Sequence, residues 1–155
     1  PVVVYVPHVR SPFNLGGIIR TAAAFGVVAV VVGDRCPPLD HPRLRRGAMG
    51  AEEMILVEGG DRRRAVDLLP RSGAVVALET GGEPLHRVKP PTAGVLIVGH
   101  EELGIPREEL DYARNHGMVA TIPHRGPKSS LNVGVAAGIA LAWWDAGYAG
   151  LSSIE

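Results

Sequence analysis

Residues 122–137 read Ile122-Pro-His-Arg-Gly-Pro-Lys-Ser-Ser-Leu-Asn-Val-Gly-Val-Ala-Ala137. A strand-like run, Met118–Ile122, stops at Pro123, a Gly/Pro-rich loop follows, and Ser130 and Asn132 fall at the start of an apolar helical pattern over Leu131–Ala146. The first N–H groups of a helix have no intrahelical acceptor, and small polar side chains are their usual partners. The stretch therefore predicts a strand, a loop and a helix start that presents backbone donors. A second stretch, Asn14-Leu-Gly-Gly-Ile-Ile-Arg20, reads as its counterpart far upstream. There a strand ends near Val6, a polar turn carries Asn14, and Arg20 sits about two turns inside an Ala-rich helix over Leu15–Phe25. A cation on so apolar a helix calls for a ligand or a salt bridge.

Between these stretches the same alternation continues. Val2–Val6, Val27–Val32, Ala74–Leu78 and Gly94–Val98 are short, nearly continuous apolar runs, as strands buried on both faces read, and Met54–Val57 is a weaker run of the same kind. Helical patterns cover Arg62–Leu69 and Arg107–Asn115, whereas Asp34–Pro42 and Lys89–Gly94 read as loops. Strands alternating with helices predict a single α/β domain with a mainly parallel sheet flanked by helices. Near the end of the last helix Trp143 and Trp144 are adjacent and so point in different directions. One is expected to pack inward and the other to need a further partner, such as a second subunit.

Composition narrows the classes. The 155 residues are 46% hydrophobic and 21% charged, which fits one globular domain and not a disordered chain. Lys+Arg and Asp+Glu are both 16, so no global positive field announces a nucleic acid. Any RNA site must be local, and the cationic candidates are Arg35, Arg43, Arg45 and Arg46, then Arg62, Arg63 and Arg64. The one cysteine, Cys36, excludes an internal disulfide, and no signal peptide or long apolar span is read, so a cytoplasmic protein without a membrane segment is expected. The chain starts at Pro1, which leaves room for an N-terminal RNA-binding extension outside it.

Three common chemistries fail on inspection. A dinucleotide site needs G-x-G-x-x-G after the first strand, yet Ile18, Ile19 and Arg20 stand where small residues must admit a pyrophosphate, and Asp34 alone is a turn residue. Gly126-Pro-Lys128-Ser129 is too short for a phosphate-binding loop and carries a proline. The six histidines show no metal-ligand spacing, and His100-Glu101-Glu102 lacks a second histidine, so no metal is expected.

Three motifs in order do match a family. They are Asn14-x-Gly16-x-x-x-Arg20 continuing to Phe25-Gly26, Val98-Gly99-x-Glu101-x-x-Gly104, and Ile122-Pro123 followed by Ser130-Leu131-Asn132-Val133. In these the chain resembles the SpoU-type, TrmH-like RNA ribose 2′-O-methyltransferases of the SPOUT superfamily over nearly its whole length. Two positions depart from the family pattern: His124 stands where methionine usually follows Ile-Pro, and Gly134 where serine commonly follows Asn-Val. The resemblance implies an α/β fold with a C-terminal trefoil knot, a homodimer with its site near the subunit boundary, and tRNA or rRNA as substrate. It implies S-adenosylmethionine as cofactor, its adenosine held against backbone groups near Leu78, Gly99, Ile122 and Leu131, with Gly99 and Gly104 permitting close approach.

By the same resemblance Arg20 activates the ribose hydroxyl, as a perturbed base or as a positioning and charge-stabilising group. Asn14 would hold the first loop and Arg20. Glu101 would pair with Arg20 or with a neighbouring subunit's helix terminus. Ser130 and Asn132 would cap the last helix, fix the cofactor, or both. The rival reading is a knotted RNA-binding or ribosome-assembly module that keeps the cofactor pocket without turnover.

Overall fold

The computed structural model describes residues 1–152. Its central element is β1, Val2–Val6, which pairs in parallel with β2, Ala29–Val32, on one side and β5, Gly94–Ile97, on the other. β3, Leu56–Gly59, lies outside β2, and β4, Ala74–Pro84, and β6, Gly117–Thr121, lie outside β5. The sheet order is thus β3-β2-β1-β5-β4-β6, and every pairing in it is parallel.

Alternation along β1 explains the continuous apolar runs. Val4 and Val6 face one layer, formed by α1 (Pro12–Ala24), α2 (Pro42–Ala48) and α5 (Val133–Ser152). Val3 and Tyr5 face the other, formed by α3 (Arg62–Asp67) and α4 (Arg107–His116). Both sides of each central strand are covered, so neither parity has to be polar.

Local chemistry sets several boundaries away from their sequence-based positions. α1 starts at Pro12, because the Ser11 hydroxyl accepts from Asn14 N at 3.1 Å and proline fits the first helical position. Asn14 therefore lies in the first turn of the helix, not in a polar turn before it. α5 starts at Val133, capped by Asn132, not at Leu131. The weak strand predicted over Met54–Val57 sits two residues later, where Glu58 and Gly59 pair with Val31 and Val32. β4 runs on past Leu78: residues 79–82 bulge out, and Glu83 and Pro84 rejoin Ala120 and Thr121 of β6. α2, beginning where a loop was predicted to end, buries Leu44, Gly47 and Ala48 at helical spacing.

The second indole finds its partner inside the chain. Trp144 is buried and donates to Pro91 O, while the half-buried Trp143 donates to Val88 O at 3.2 Å. No second subunit is required to satisfy either N–H.

α1 and α2 meet backbone to backbone. A Cβ on Gly16 would collide with Leu44 O and come within 2.8 Å of Ala48 N, and one on Gly47 would lie 2.7 Å from Phe13 O. A Cβ on Gly17 would meet nothing within 4 Å. The first motif's glycine is therefore a helix-contact residue, and α2 is seated where Met49 can reach Arg20. Gly16→Ala is expected to cost about 1–3 kcal/mol through forced separation of the helices, whereas Gly17→Ala is expected to gain about 0.5–1 kcal/mol from lower unfolded-state entropy. Thermal melting of the two variants checks this, and equal shifts of the same sign would contradict the contact.

Candidate active site

Parallel strands bring all six C-terminal ends to one edge, and there the loops after β4, β5 and β6 form a cleft of about 620 Å³ with the adjoining open solvent included. Leu78, Gly99, Gly104, Ile122 and Leu131, the five residues assigned to the cofactor, all line it. Glu101 and Ser130 line it too. Val98, Val133 and Ala136 complete an apolar wall, while Glu79 and Glu101 supply carboxylates.

The loop after β5 is closed on itself. His100 N donates to Gly104 O at 3.0 Å, Gly104 N returns to His100 O at 3.1 Å, and the His100 Nδ1 atom accepts from Glu102 N and Leu103 N. Gly104 has φ +72°, and a Cβ there would strike the Glu79 carboxylate, so glycine is required twice over. A Cβ on Gly99 would come within 2.7 Å of the Gly104 carbonyl carbon. These two glycines thus let the loop pack on itself and on Glu79; the close approach they permit is protein to protein.

Glu79 was not singled out from the sequence. Its Oε2 accepts from Ile105 N at 2.9 Å and its Oε1 from Thr80 N at 2.9 Å, which ties the bulge of β4 to the β5 loop. The signal was the Glu79-Thr80-Gly81-Gly82 turn sequence directly after an apolar run.

Glu101 organises the rest. Its carboxylate accepts from Arg10 N at 3.1 Å, Ser11 N at 3.1 Å and Asn14 Nδ2 at 3.2 Å, so it sits on the N-terminus of α1, where negative charge is stabilised. It does not pair with Arg20. Asn14 Oδ1 in turn accepts from Asn132 Nδ2 at 3.1 Å, and Asn132 Oδ1 caps α5 by accepting from Gly134 N at 2.9 Å and Val135 N at 3.2 Å. One polar chain therefore joins the three motifs. Ser130 is exposed, lines the cleft and does not cap the helix, which corrects half of the capping expectation.

Both departures from the family pattern have local accounts. A Cβ on Gly134 would lie 3.2 Å from Asn132 Oδ1, so glycine leaves the cap uncrowded. The His124 ring spans its loop, with Nδ1 3.1 Å from Ile122 O and Nε2 3.0 Å from Lys128 O; a neutral ring donates to one of them at a time.

Arg20 is exposed and outside the residues that line the cleft; its Nη1 lies 2.9 Å from Met49 Sδ, a weak acceptor. Arg43, Arg45 and Arg46 are likewise exposed on the neighbouring α2. The later cluster is different: Arg62 pairs with the buried Glu109 at 2.7 Å and stacks over Tyr112, and Arg64 pairs with Glu58. Among the described residues no group of three or more His, Cys, Asp or Glu could hold a metal ion, and no helix is long and apolar enough to cross a membrane.

Partial burial pushes the Glu101 carboxyl up, but hydrogen bonds from its own N–H, from Arg10 and Ser11 N–H and from the Asn14 amide outweigh it and hold the group below the usual carboxylate range. A native value below the unfolded one contributes stability that is present above the unfolded value and lost as pH falls through the native one. Glu101→Gln is therefore expected to lower Tm most near neutral pH, with the gap to the parent closing as pH drops below about 4.5, the ordinary value. Melting curves across pH 2–7 read this, and a pH-independent gap would contradict the charge role.

The SpoU rRNA Methylase family matches residues 1–142. A 23S rRNA (guanosine-2′-O-)-methyltransferase, RlmB, of Coxiella burnetii is 37% identical over 140 residues, which cover 86% of this chain and 53% of that protein. An AdoMet-bound rRNA methyltransferase from Sinorhizobium meliloti is similar in structure, with TM-score 0.79 and 29% identity over 92% of this chain and 55% of that one. A structure addressing the 2-OH methylation of C/U34 on tRNA aligns with TM-score 0.79 and 29% identity over 96% of both chains. The chain spans about half the length of most of the curated relatives it matches, from 39% of one to 57% of others. With the family matched from Pro1 to Ala142 and its three motifs joined by one hydrogen-bonded chain, this protein belongs to the SpoU rRNA Methylase family.

Proposed function

We propose that this chain is the catalytic domain of an S-adenosylmethionine-dependent RNA methyltransferase that modifies a ribose 2′-hydroxyl of tRNA or rRNA. The observation that carries the reading is the cleft: all five residues assigned to the cofactor line it, and Glu101 ties it to the motif that bears Arg20. The donor set fits the group. Apolar walls from Leu78, Ile122 and Leu131 suit an adenosine, and the carboxylates of Glu79 and Glu101 suit a ligand with cationic centres. When bound, S-adenosylmethionine supplies a methyl group on a sulfonium, open to attack by an oxygen.

The chain's own contribution is positioning and charge. Asn14, held by Glu101 and Asn132 through both ends of its amide, fixes the first turn of α1 relative to the cleft. Arg20 has no carboxylate partner among the described residues, so its guanidinium is available to an RNA phosphate or to the oxyanion that develops as the hydroxyl loses its proton. Arginine stays protonated, which favours that role over proton abstraction.

A homodimer is part of the proposal. Val135, Ile139 and Tyr148 leave apolar surface exposed along α5, and Phe13 and Met49 do so beside Arg20. A second copy on this surface would bring the Arg20 region to a subunit boundary. The trefoil knot would involve the segment after β6: that strand lies on the far side of β4 from β5, and the chain then returns to pack α5 on α1. An N-terminal RNA-binding extension would account for relatives about twice as long, and the rRNA substrates that relatives' names give support a cytoplasmic location. Gly134 leaves the Asn132 cap intact, so it lends no support to a module without turnover.

Transfer of labelled methyl from S-adenosylmethionine to total tRNA and, separately, to rRNA tests the reading, with the product mapped by nuclease digestion. Arg20→Ala is expected to lower transfer by at least 100-fold, on the order of losing one transition-state donor, with calorimetric cofactor affinity unchanged. Asn132→Ala is expected to weaken both cofactor binding and rate. Cofactor binding without transfer to either RNA by the parent, in a chain extended to relatives' length, would favour the non-enzymatic reading.

A further inference from the structure

The C-terminal edge of the sheet carries a second, wider cleft past the ends of β1, β2 and β3, of about 1260 Å³ with the adjoining open solvent included. Its walls are apolar where Val32, Pro37 and Leu39 stand, and its polar side chains are Tyr5, Asp34, Cys36, Asp61 and Arg64, the last already paired with Glu58 at 2.7 Å. Asp61 is engaged as the cap of α3, accepting from Arg64 N at 3.0 Å. Asp34 is exposed with no hydrogen bond or ion pair among the described residues. The independent observation is Tyr5: only 5% of it is accessible, it lines this cleft, and its hydroxyl has no hydrogen-bond partner among the described residues. Burial, reinforced by the nearby Glu109 charge, pushes this phenol up to about 12, so it remains a donor throughout the physiological range.

The segments after β2, β1 and β5, which are neighbours along the edge between the two clefts, carry Arg35, His8 and His100. Arg35, directly after Asp34, is exposed and close enough to His8 for its charge to help lower that imidazole, after burial and His100. His8 lies 4.4 Å from His100, ring centre to ring centre, and His100 lines the first cleft. With strands about 4.8 Å apart, the centres of the two clefts are roughly three strands, or about 14 Å, apart along the edge. That spacing is a short step along an extended RNA strand, and single-stranded RNA is read by splaying bases into such pockets.

We propose that the second cleft is a subsite for an unpaired guanine that flanks the methylated nucleotide, with Asp34 and Tyr5 reading its edge. Guanine alone among the four bases presents two adjacent donors, N1–H and N2–H, on its Watson–Crick edge, and an ionised carboxylate is a pure acceptor that takes both. The Tyr5 hydroxyl supplies a donor for the O6 or N7 acceptor and the Val32, Pro37 and Leu39 walls cover the ring, while the exposed Arg35, next to Asp34 in sequence, is available to the intervening phosphate. The subsite rests on the proposal that the chain binds RNA, but its first test does not depend on turnover.

The test titrates the protein with the 5′-monophosphates of guanosine, adenosine, cytidine and uridine by ligand-observed NMR, with S-adenosylhomocysteine present at millimolar excess to fill the first cleft. Guanosine monophosphate is expected to bind at least fivefold tighter than the other three. Asp34→Asn is expected to remove that preference and Tyr5→Phe, which keeps the ring, to weaken it at least twofold, with affinity for S-adenosylhomocysteine unchanged in both. Equal affinity for all four nucleotides, no binding, or an unaffected Asp34→Asn variant overturns the subsite. Guanosine selectivity without methyl transfer to any RNA by a chain extended to relatives' length would keep the subsite and remove the enzymatic reading; transfer without that selectivity would do the reverse. In an active preparation Asp34→Asn is further expected to raise KM for RNA about tenfold with kcat unchanged, and a fall in kcat alone would count against it.

Discussion

The architecture at the working edge depends on one carboxylate. Glu101 receives N–H donors from Arg10 and Ser11 at the start of α1 and the amide of Asn14, and through Asn14 it is coupled to the Asn132 cap of α5. A half-buried carboxylate is costly unless its lone pairs are filled, and here they are filled by groups that the fold must otherwise satisfy. The first N–H groups of a helix are orphans, and a negative charge there complements the helix dipole. A single ion thus settles the N-terminus of one helix, the amide orientation of Asn14 and the relative position of two loops distant in sequence. A neutral side chain of the same length leaves at least one of those donors poorly matched.

The second constraint is the closeness of α1 and α2. Gly16 and Gly47 allow their backbones to touch, and that contact carries Arg20 and Met49 to the same place on the surface. Arg20 is held by a thioether and not by a carboxylate. A salt bridge would have fixed its geometry more firmly but would also have competed with any phosphate or oxyanion for the guanidinium. The arrangement trades some order in the side chain for availability. Glu101, the carboxylate that sequence motifs most naturally assign to Arg20, is fully occupied elsewhere.

How legible this was from the sequence depended on whether a feature is local. The central strands stood out because each is covered on both faces, so Val2–Val6 and Gly94–Ile97 are apolar at every position. The edge strand β3 is paired on one side only and half exposed, and its apolar signal, centred on Met54–Val57, is displaced by two residues from its hydrogen bonds. α2 has seven residues, three of them arginine, and its buried Leu44, Gly47 and Ala48 make too short a stripe to outweigh the charges. The return of β4 to pairing at Glu83 is tertiary and left no local mark. At the site, the five residues assigned to the cofactor came from family motifs and all line one cleft, whereas no periodicity rule specifies which backbone faces a ligand. The partner of Glu101 was not legible, because spacing cannot choose between a guanidinium and a helix terminus. Asp34, discounted with the failed dinucleotide fingerprint, lines a cleft of its own.

Charge distribution reconciles a neutral chain with the polyanionic ligand proposed for it. Lys+Arg and Asp+Glu are both 16 and most of each are exposed, so the local field depends on where each sign clusters. Glu101, Glu79 and Glu109 accept hydrogen bonds from backbone N–H groups or arginine within the fold. Arg20, Arg43, Arg45 and Arg46 are exposed around α2, and Arg125 and Lys128 are exposed on the loop that borders the cofactor cleft. Carboxylates turned inward project little field beyond the surface, whereas exposed guanidinium groups act over about a Debye length, roughly 8 Å at physiological salt. The result is a local positive strip on a molecule with no net charge. Such a strip favours recognition of a particular RNA shape over indiscriminate wrapping, because each phosphate contact adds to affinity irrespective of sequence and only a few are available. On the proposed reading, discrimination then comes from the pockets at the sheet edge, where hydrogen-bonding groups and apolar walls can distinguish one nucleotide from another.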